Sequence, residues 1–425
     1  MFTEINELLK GIKCASCGKK HSCAIEKVYV EHGAARRFTE LCREYDSILI
    51  VADENTYRAA GERTVAALSG KNLEKVVFDG SHILIPNEDA IAAVEEKTGG
   101  KDLILGIGSG VIQDLCKYVS HDTGIPYMVC ATAPSMDGYA SSGAAMILKG
   151  MKETVSAGVP MAIVADTEVL KNAPSEMIKA GYGDIVGKYS ALNDWKLSRT
   201  VNGEYFCEYI YDLTLKTVKE TLRLADGIAG GDEESVGTLT KALIVAGILM
   251  SFAGSSRPAS GSEHHLSHFF EITGILDGAE YFPHGINVAY STVITARLRE
   301  RILKKHFPQK LYRQPKDEYT SAMTEIYKSI APRCEALQEK VGNYAADRTS
   351  IYLEKESEIR SILAEMPTGE ETEKMINAVG LDMSEFFALY GEERIRTAVK
   401  YAKDLKDRYT VLWLNYDMFG GACDE

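Results

Sequence analysis

Four histidines fall close together in the second half of the chain, with a spacing that could support metal chemistry. They are His264, His265, His268 and His284, out of nine histidines in 425 residues. On a helix, His264 and His268 would lie four residues apart on one face, and another helical pattern begins at His284. Neutral imidazoles with one carboxylate make a three-ligand metal site that leaves a coordination position open for a substrate oxygen.

The best carboxylate candidate for such a site is Asp184, which lies between apolar residues at the start of a predicted helix. A single histidine or aspartate is more often structural. The clustering of four histidines favours a metal site over that alternative.

A glycine-rich turn in the first half could bind phosphate. The run Leu103-Ile104-Leu105-Gly106-Ile107 predicts a buried strand, and it is followed by Gly108-Ser109-Gly110 and a helical pattern. Glycine lets a pyrophosphate approach the backbone, and a helix N-terminus offers N–H groups and partial positive charge. The spacing is not that of the usual G-x-G-x-x-G fingerprint, and many such turns carry glycine only for packing.

Two other polar segments follow predicted strands. Asp53 ends a strand, where an acid can accept hydrogen bonds from an adenine ribose; it could equally be the N-cap of the next helix. The loop from Ala131 to Ser142 follows the run Tyr127 to Cys130, and the carboxyl ends of parallel strands are where open α/β sheets bind ligands. Ordinary turn-forming residues would give a similar pattern.

A parallel sheet is predicted to position these motifs. Short β-branched runs alternate with amphipathic helical patterns at 54–68, 88–97 and 111–119, which is typical of a sheet covered on both faces. After Asp166 such runs vanish, and long amphipathic segments at 209–224, 239–252 and 319–341 take over. We expect an α/β nucleotide-binding domain with a doubly wound parallel sheet over residues 1–165, and an all-α metal- and substrate-binding domain over residues 166–425. The predicted strands are 47–51, 75–78, 103–107, 127–130 and 161–164.

Composition indicates an ordinary globular protein. Apolar residues make up 45% and charged residues 26%, and the net charge is -13. Such a charge repels a polyanion, so we expect no nucleic-acid partner, although a local basic pocket could still bind a small phosphorylated substrate.

The apolar stretch from Ala242 to Ala253 is shorter than the roughly 20 residues that span a bilayer, which predicts a buried helix and no membrane insertion. The start of the chain lacks a signal-peptide pattern, and nine cysteines fit a reduced cytoplasmic compartment.

Several of these motifs in series resemble the sn-glycerol-1-phosphate dehydrogenase family. That family belongs to a superfamily with iron-dependent alcohol dehydrogenases, glycerol dehydrogenase and dehydroquinate synthase. The resemblance implies a dehydroquinate-synthase-like architecture. It rests on the turn 106–114, the loop 132–142, Gly183-Asp184-x-x-Gly187-Lys188, the segment 261–268, His284-Gly285 and the tail 407–412.

The resemblance also implies roles for individual residues. The metal ligands would be Asp184, His264 and His284; the match to Ser262-Glu263-His264 favours His264 over its neighbour His265. Asp137, Asp184 and His268 would contact substrate, with Asp137 and His268 orienting hydroxyls and passing the final proton. The residues expected to bind cofactor are Asp53, Gly108, Ser109, Gly110, Val111, Ile112, Gln113, Asp114, Thr132, Ala133, Pro134, Ser135 and Ser141.

The activity implied by the resemblance is reduction of dihydroxyacetone phosphate to sn-glycerol-1-phosphate, which supplies glycerophospholipid backbones. It would use NAD(H) or NADP(H) and one divalent metal, for which zinc suits a His2Asp set and nickel or ferrous iron are alternatives. A homo-oligomer, dimer or larger, is expected. The alternatives are a glycerol or polyol dehydrogenase, a dehydroquinate-synthase-like lyase, and a non-catalytic metal- or nucleotide-binding protein.

Two features have no place in that scheme. The substrate phosphate needs a basic partner, for which Lys149, Lys188 and Arg257 are candidates, although each could be an ordinary surface or packing residue. Near the N-terminus, Cys14, Cys17, His21 and Cys23 form a cluster of soft ligands that could hold structural zinc. The alternative is a set of thiols in a frayed terminus.

Overall fold

The computed structural model describes residues 5–82, 84–149 and 151–422. It contains two compact units. Unit 1 comprises residues 1–185 and 219–255, and unit 2 comprises residues 186–218 and 256–425. The chain therefore passes between the units more than once. The boundary predicted between residues 165 and 166 coincides with the end of the last strand, and as a domain boundary it stays a prediction.

Unit 1 is built on a six-stranded parallel sheet with the strand order β3-β10-β7-β6-β4-β5. Two antiparallel hairpins, β1-β2 and β8-β9, accompany it. The strands are β1 Ile12–Lys13, β2 Lys20–His21, β3 Lys27–Glu31, β4 Ser47–Asp53, β5 Asn72–Phe78, β6 Leu103–Gly108, β7 Tyr127–Ala131, β8 Gly143–Leu148, β9 Met151–Ser156 and β10 Ala162–Asp166.

Helices cover the sheet and make up unit 2. The segment Tyr57–Gly61 between α3 and α4 is a π-helical turn. The helices are α1 Ile5–Leu8, α2 Phe38–Leu41, α3 Glu54–Thr56, α4 Glu62–Ala67, α5 Glu88–Glu95, α6 Gly110–Thr123, α7 Thr167–Lys171, α8 Ser175–Asn202, α9 Glu208–Leu222, α10 Ala225–Ala229, α11 Glu233–Ala253, α12 Ser262–Asp277, α13 His284–Lys304, α14 Lys316–Tyr327, α15 Ala331–Val341, α16 Thr349–Glu354, α17 Glu356–Ala364, α18 Gly369–Asn377, α19 Met383–Tyr401 and α20 Val411–Phe419.

The predicted fold class is confirmed: a doubly wound parallel sheet is followed by a helical C-terminal part. Every strand of β4 to β7 and β10 was predicted. The central strands are apolar and buried on both faces, which gives them the continuous hydrophobic runs that mark a parallel strand. The prediction omitted the edge strand β3, whose side chains are mostly half-buried, and the hairpin β8-β9.

The predicted helical segments are also present, with two differences. The pattern at 54–68 corresponds to α3, the π-helical turn and α4 in succession. The pattern at 319–341 predicted one segment, but α14 and α15 are separate because Lys328 takes a positive φ of 46° after α14 ends. The predicted buried helix is α11. By length and composition α11 could cross a membrane, but 78% of its apolar window is buried within the protein, as in the core helix of a soluble protein.

Candidate active site

Three of the predicted cofactor-binding segments begin at neighbouring strands of unit 1. Strand β4 ends at Asp53, β6 at Gly108 and β7 at Ala131, and β6 lies between the other two. The chain runs from β4 to β5 on one side and from β6 to β7 on the other, so the strand order reverses between β4 and β6. Such a switch point is where open α/β sheets bind a nucleotide.

At the glycine turn, Gly108 packs tightly against the first turn of α6. A Cβ on Gly108 would lie 2.5 Å from the Cβ of Ile112, so no side chain fits there. Ser109 is the N-cap of α6, and its hydroxyl makes no capping hydrogen bond to the backbone N–H groups at this end of the helix. Gln113 is buried, and its amide donates to the carbonyls of Gly106 and Gly108 at 3.2 and 3.1 Å. Its side chain therefore braces the turn.

Asp53 forms the N-cap that was one of its two predicted roles. Its carboxylate accepts a hydrogen bond from the N–H of Thr56 at 2.8 Å, and the Thr56 hydroxyl accepts one from the Asp53 N–H, which completes a capping box. The contact with an adenine ribose stays a prediction.

A buried lysine shapes the polar loop that follows β7. The ammonium of Lys117, on α6, donates to the carbonyls of Gly138 and Gly143 at 3.0 and 2.8 Å, and lies 3.4 Å from the hydroxyl of Ser141. Burial lowers the pKa of Lys117, and the nearby carboxylate of Asp114 opposes that shift. Lys117 is fully buried, so it holds the loop by hydrogen bonds from inside. The sequence prediction did not include it.

Asp184 contacts the same loop. It is fully buried on α8, and its Oδ2 accepts a hydrogen bond from the backbone N–H of Asp137 at 3.0 Å. Helix α8 comes so close to the loop that a Cβ on Gly181 would lie 1.8 Å from the carbonyl oxygen of Pro134. Helix α11 is similarly close, because a Cβ on Gly247 would lie 2.9 Å from the Asp137 carbonyl oxygen. The structure thus brings together Asp137 and Asp184, two predicted substrate contacts.

Three of the four clustered histidines meet in unit 2. His264 and His268 lie one turn apart on α12, and His284 is the first residue of α13. The ring of His284 lies 5.2 Å from that of His264 and 5.5 Å from that of His268, measured between centroids. Both predicted histidine ligands, His264 and His284, therefore lie in one cluster with His268, which was predicted to contact substrate.

Each predicted histidine ligand is held by a carboxylate. Nδ1 of His264 lies 2.7 Å from Oε1 of Glu263, and Nδ1 of His284 lies 2.6 Å from Oε1 of Glu271. An ionised carboxylate can only accept, so both Nδ1 atoms carry the proton and Nε2 is the ligand atom on each ring. A carboxylate behind the imidazole is typical of metal-binding histidines, because it fixes the tautomer and the ring orientation.

These two glutamates were not predicted as functional residues. Both are buried. Burial by itself would raise the pKa of Glu263, but hydrogen bonds from His264 and from the Gly261 N–H outweigh it and the pKa is lowered. Glu271 also forms a candidate ligand group with His268 and His284; its short contact with Nδ1 favours a positioning role. The sequence did contain a signal for Glu271: it follows His264 by seven residues and His268 by three, which puts it on the same face of α12.

His265 is not among the histidines whose rings contact one another in this cluster. It is fully buried, and burial, with the nearby cations Lys406 and Arg408, places its pKa well below the usual value. Neither ring nitrogen has a hydrogen-bond partner among the described residues. Of the two neighbouring histidines, His264 is thus the one that lies with His268 and His284.

A buried ion pair secures the start of α12. Asp194 on α8 accepts from the Ser262 N–H at 2.7 Å and from Arg299 of α13 at 2.8 Å, and neither side chain of the pair is more than 1% exposed. Gly261 lets α8 come close, since a Cβ there would lie 2.7 Å from Ala191. The two histidine-bearing helices are therefore fastened to one buried carboxylate.

The three basic candidates for the substrate phosphate are placed differently. Arg257 is buried and donates to Glu204 and to the Tyr409 carbonyl, at 2.7 and 3.0 Å, so its charge is balanced within unit 2. Lys188 is fully buried on α8. Lys149 is exposed next to the β8-β9 turn.

The structure brings together three of the four N-terminal soft ligands. Donor atoms of Cys14, Cys17 and His21 lie within 4.8 Å of one another, and Cys23 is not part of that group. The prediction that included Cys23 is therefore wrong in this respect. The chain leaves the hairpin after β2 ends at His21, which carries Cys23 away from it.

Known proteins match this chain in part of its sequence and in its fold. The family model described as iron-containing alcohol dehydrogenase matches residues 29–174. Among solved structures, maleylacetate reductase from a Rhizobium strain shares the fold with a TM-score of 0.60 at 15% identity, over 95% of this chain and 98% of that one. Glycerol dehydrogenase from Schizosaccharomyces pombe has a TM-score of 0.53 at 17% identity, over 87% and 92%.

Curated relatives are more similar in sequence. Glycerol-1-phosphate dehydrogenase [NAD(P)+] of Geobacillus thermodenitrificans is 33% identical over 77% of this chain and 85% of that protein. The enzyme of the same name from Bacillus licheniformis is 30% identical over 96% of this chain and 94% of that protein. With at least 30% identity over more than two thirds of each of these relatives, the chain belongs to the family of NAD(P)+-dependent glycerol-1-phosphate dehydrogenases.

Proposed function

We propose that this protein catalyses the reversible, NAD(P)H-dependent reduction of dihydroxyacetone phosphate to sn-glycerol-1-phosphate. The observation that carries the proposal is the pair of imidazoles, His264 and His284, each held by a buried glutamate in a chain whose curated relatives are named for this activity. The product would serve as a glycerophospholipid backbone.

The cofactor would lie along the carboxyl edge of the parallel sheet. The N-terminus of α6, with Gly108, Ser109 and Gly110, offers backbone N–H groups to a pyrophosphate. The loop held by Lys117 would form the other wall, with Thr132 to Ser135 and Ser141 against the cofactor. Its nicotinamide supplies or takes the hydride.

The donor set fits a divalent metal. Nε2 of His264 and Nε2 of His284, together with the carboxylate of Asp184, are the ligands that we propose. They leave a coordination position for the substrate oxygen. A metal held there supplies Lewis-acid polarisation of the ketone. Zinc suits these ligands, and nickel or ferrous iron would accept the same set.

Two side chains would act on the substrate directly. Asp137 and His268 would orient its hydroxyl groups, and His268 can pass a proton to or from the carbonyl oxygen because an imidazole nitrogen can donate or accept one. The hydrogen bond from the Asp137 N–H to Asp184 fixes the loop that carries Asp137.

In the cell we propose that the protein is a cytoplasmic homo-oligomer that acts on a small molecule without inserting into a membrane.

The decisive experiment is an NADH-oxidation assay with dihydroxyacetone phosphate after chelation and refilling with Zn²⁺, Ni²⁺ or Fe²⁺. We expect activity only after refilling, with sn-glycerol-1-phosphate as the enantiomer found by chiral analysis. Equal activity with dihydroxyacetone as with its phosphate would indicate a polyol dehydrogenase. Turnover without net NADH consumption would indicate a lyase that regenerates its cofactor.

The His264→Ala variant tests the metal assignment. Because the substitution removes one ligand, we expect bound metal to be lost and kcat to fall by about 100-fold or more. His306→Ala changes an exposed histidine just past α13 and should retain both metal and activity. Full turnover by a metal-free His264→Ala protein would contradict the assignment.

A further inference from the structure

The N-terminal hairpin has a backbone shape that brings two thiols together. Strands β1 and β2 pair through Ile12 with His21 and Lys13 with Lys20. The turn between them is closed by the Cys14 N–H, which donates to the Lys19 carbonyl, and by the Gly18 N–H, which donates to the Cys14 carbonyl, both at 2.9 Å. Gly18 has a φ of 73°, a left-handed conformation that glycine adopts readily. A Cys-x-x-Cys-Gly turn of this kind presents both sulfurs on one side.

The donor atoms have the spacing of a metal site. The sulfurs of Cys14 and Cys17 and a ring nitrogen of His21 lie within 4.8 Å of one another, and Cys17 Sγ is 3.3 Å from His21 Nε2. Tetrahedral zinc, with bonds of about 2.3 Å to sulfur and about 2.0 Å to nitrogen, separates such ligand atoms by roughly 3.5–3.8 Å. A small adjustment would therefore place one ion between all three.

The imidazole of His21 is oriented as a metal ligand. Its Nδ1 lies 2.9 Å from the carbonyl oxygen of Phe252, which can only accept, so Nδ1 carries the hydrogen. The lone pair of the neutral ring is then on Nε2, the nitrogen next to Cys17. The ring is buried and stacks on Phe252 at a centroid distance of 5.6 Å. A backbone carbonyl behind the other nitrogen is a usual partner of metal-binding histidines.

We propose that Cys14, Cys17 and His21 bind a structural zinc ion that is separate from the catalytic metal. Two thiolates and an imidazole are a soft donor set, which selects zinc over magnesium or calcium. A fourth ligand, water or a further thiolate, completes the tetrahedron.

The site would fasten the hairpin to the core of unit 1. Phe252, whose carbonyl holds His21, is near the end of α11. The same helix lies against the loop that carries Asp137, at Gly247. Metal binding by the hairpin would therefore stabilise the end of a helix that supports the predicted substrate loop, without contributing a group to the reaction.

Cobalt substitution of the full-length protein tests the proposal under reducing conditions. We expect two metal ions per chain, and a sulfur-to-cobalt charge-transfer band that only thiolate ligation produces. The band should persist in His264→Ala, because that variant affects the other metal, and it should vanish in Cys14→Ser/Cys17→Ser. One ion per chain with no charge-transfer band in the unaltered protein would overturn the proposal, as would a band that survives the double substitution.

Cys23→Ser is the matched control, since it removes a neighbouring thiol that lies outside the donor group. It should retain both the second ion and the band. The double variant should also unfold at a lower temperature, and chelator should no longer lower its Tm in the His264→Ala background. If the cluster is held only by thiol–imidazole hydrogen bonds, chelator will leave the Tm of His264→Ala unchanged from the start, which would refute the zinc site independently of whether the double variant folds.

Discussion

The predicted cofactor region of unit 1 and the histidine region of unit 2 are positioned by different means. In unit 1 the proposed cofactor-binding surface is backbone, and glycines allow close packing there: Gly108 at the turn, and Gly181 and Gly247 against the loop after β7. In unit 2 the proposed ligand atoms are imidazole nitrogens, and buried carboxylates contact the other nitrogen of each ring. A site made of backbone tolerates no added atoms, whereas a site made of side chains depends on balanced buried charge.

The largest effect that this comparison predicts is on the stability of unit 2. Arg299→Met would leave Asp194 buried without its ion pair, which typically costs about 3–5 kcal/mol. Lys304→Met changes an exposed cation on the same helix and should cost little. Urea unfolding followed by circular dichroism measures both. If Arg299→Met lowers the free energy of unfolding no more than the control does, the buried carboxylate of Asp194 does not depend on this partner.

An added methyl group should damage unit 1. Gly181→Ala would place a Cβ 1.8 Å from the Pro134 carbonyl oxygen, a backbone atom that cannot rotate away. We expect a destabilisation of about 1–3 kcal/mol and a raised KM for NADH, because Pro134 belongs to the predicted cofactor loop. Gly99→Ala adds a methyl group into open space and serves as the control. An unchanged KM in a folded Gly181→Ala protein would argue against a cofactor role for this loop.

In unit 2 a loss of charge without loss of shape should weaken metal binding. Glu271→Gln keeps an oxygen acceptor for His284 but removes the negative charge, and changes to such partners typically lower metal affinity about 10–100-fold. Competition with a chromophoric chelator gives the affinity directly. Glu280→Gln, in the exposed connection between α12 and α13, should leave it unaltered. If Glu271→Gln binds the metal as tightly as the unaltered protein, Glu271 serves packing and does not position the ligand.

The smallest effect concerns a surface carboxylate of unit 1. Hydrogen bonds from Lys171, then Thr167 and His32, lower the pKa of Glu233 from 4.5 to about 2. Because the folded-state pKa is the lower one, this contribution to stability is present above about pH 4.5 and is lost as the pH falls toward 2. Glu233→Gln should therefore flatten the dependence of unfolding midpoint on pH in that range, and Glu234→Gln should not. The effect is small since solvent screens the group.

Much of the α/β part could be predicted from sequence, because its strands are short apolar runs with local signals at each end. Asp53 illustrates the limit: its position at a strand end was evident, but whether it caps a helix depended on where Thr56 lies. Helical spacing alone puts Glu271 on the face of His264 and His268, but the roles of Glu271 and Lys117 could not be assigned, since they depend on partners that the structure reveals. The pairing of Cys17 with His21 but not Cys23 depended on where the hairpin ends.

The sequence by itself determined the order of elements, the family, and the residue types able to bind a metal and a dinucleotide, because periodicity and motif spacing are properties of the chain. Only the tertiary structure decided that β4, β6 and β7 are neighbours, that His264 and not His265 joins His284, and which carboxylates hold the imidazoles. Most of those outcomes arise from packing between segments that are apart in the sequence, and such contacts leave no local pattern.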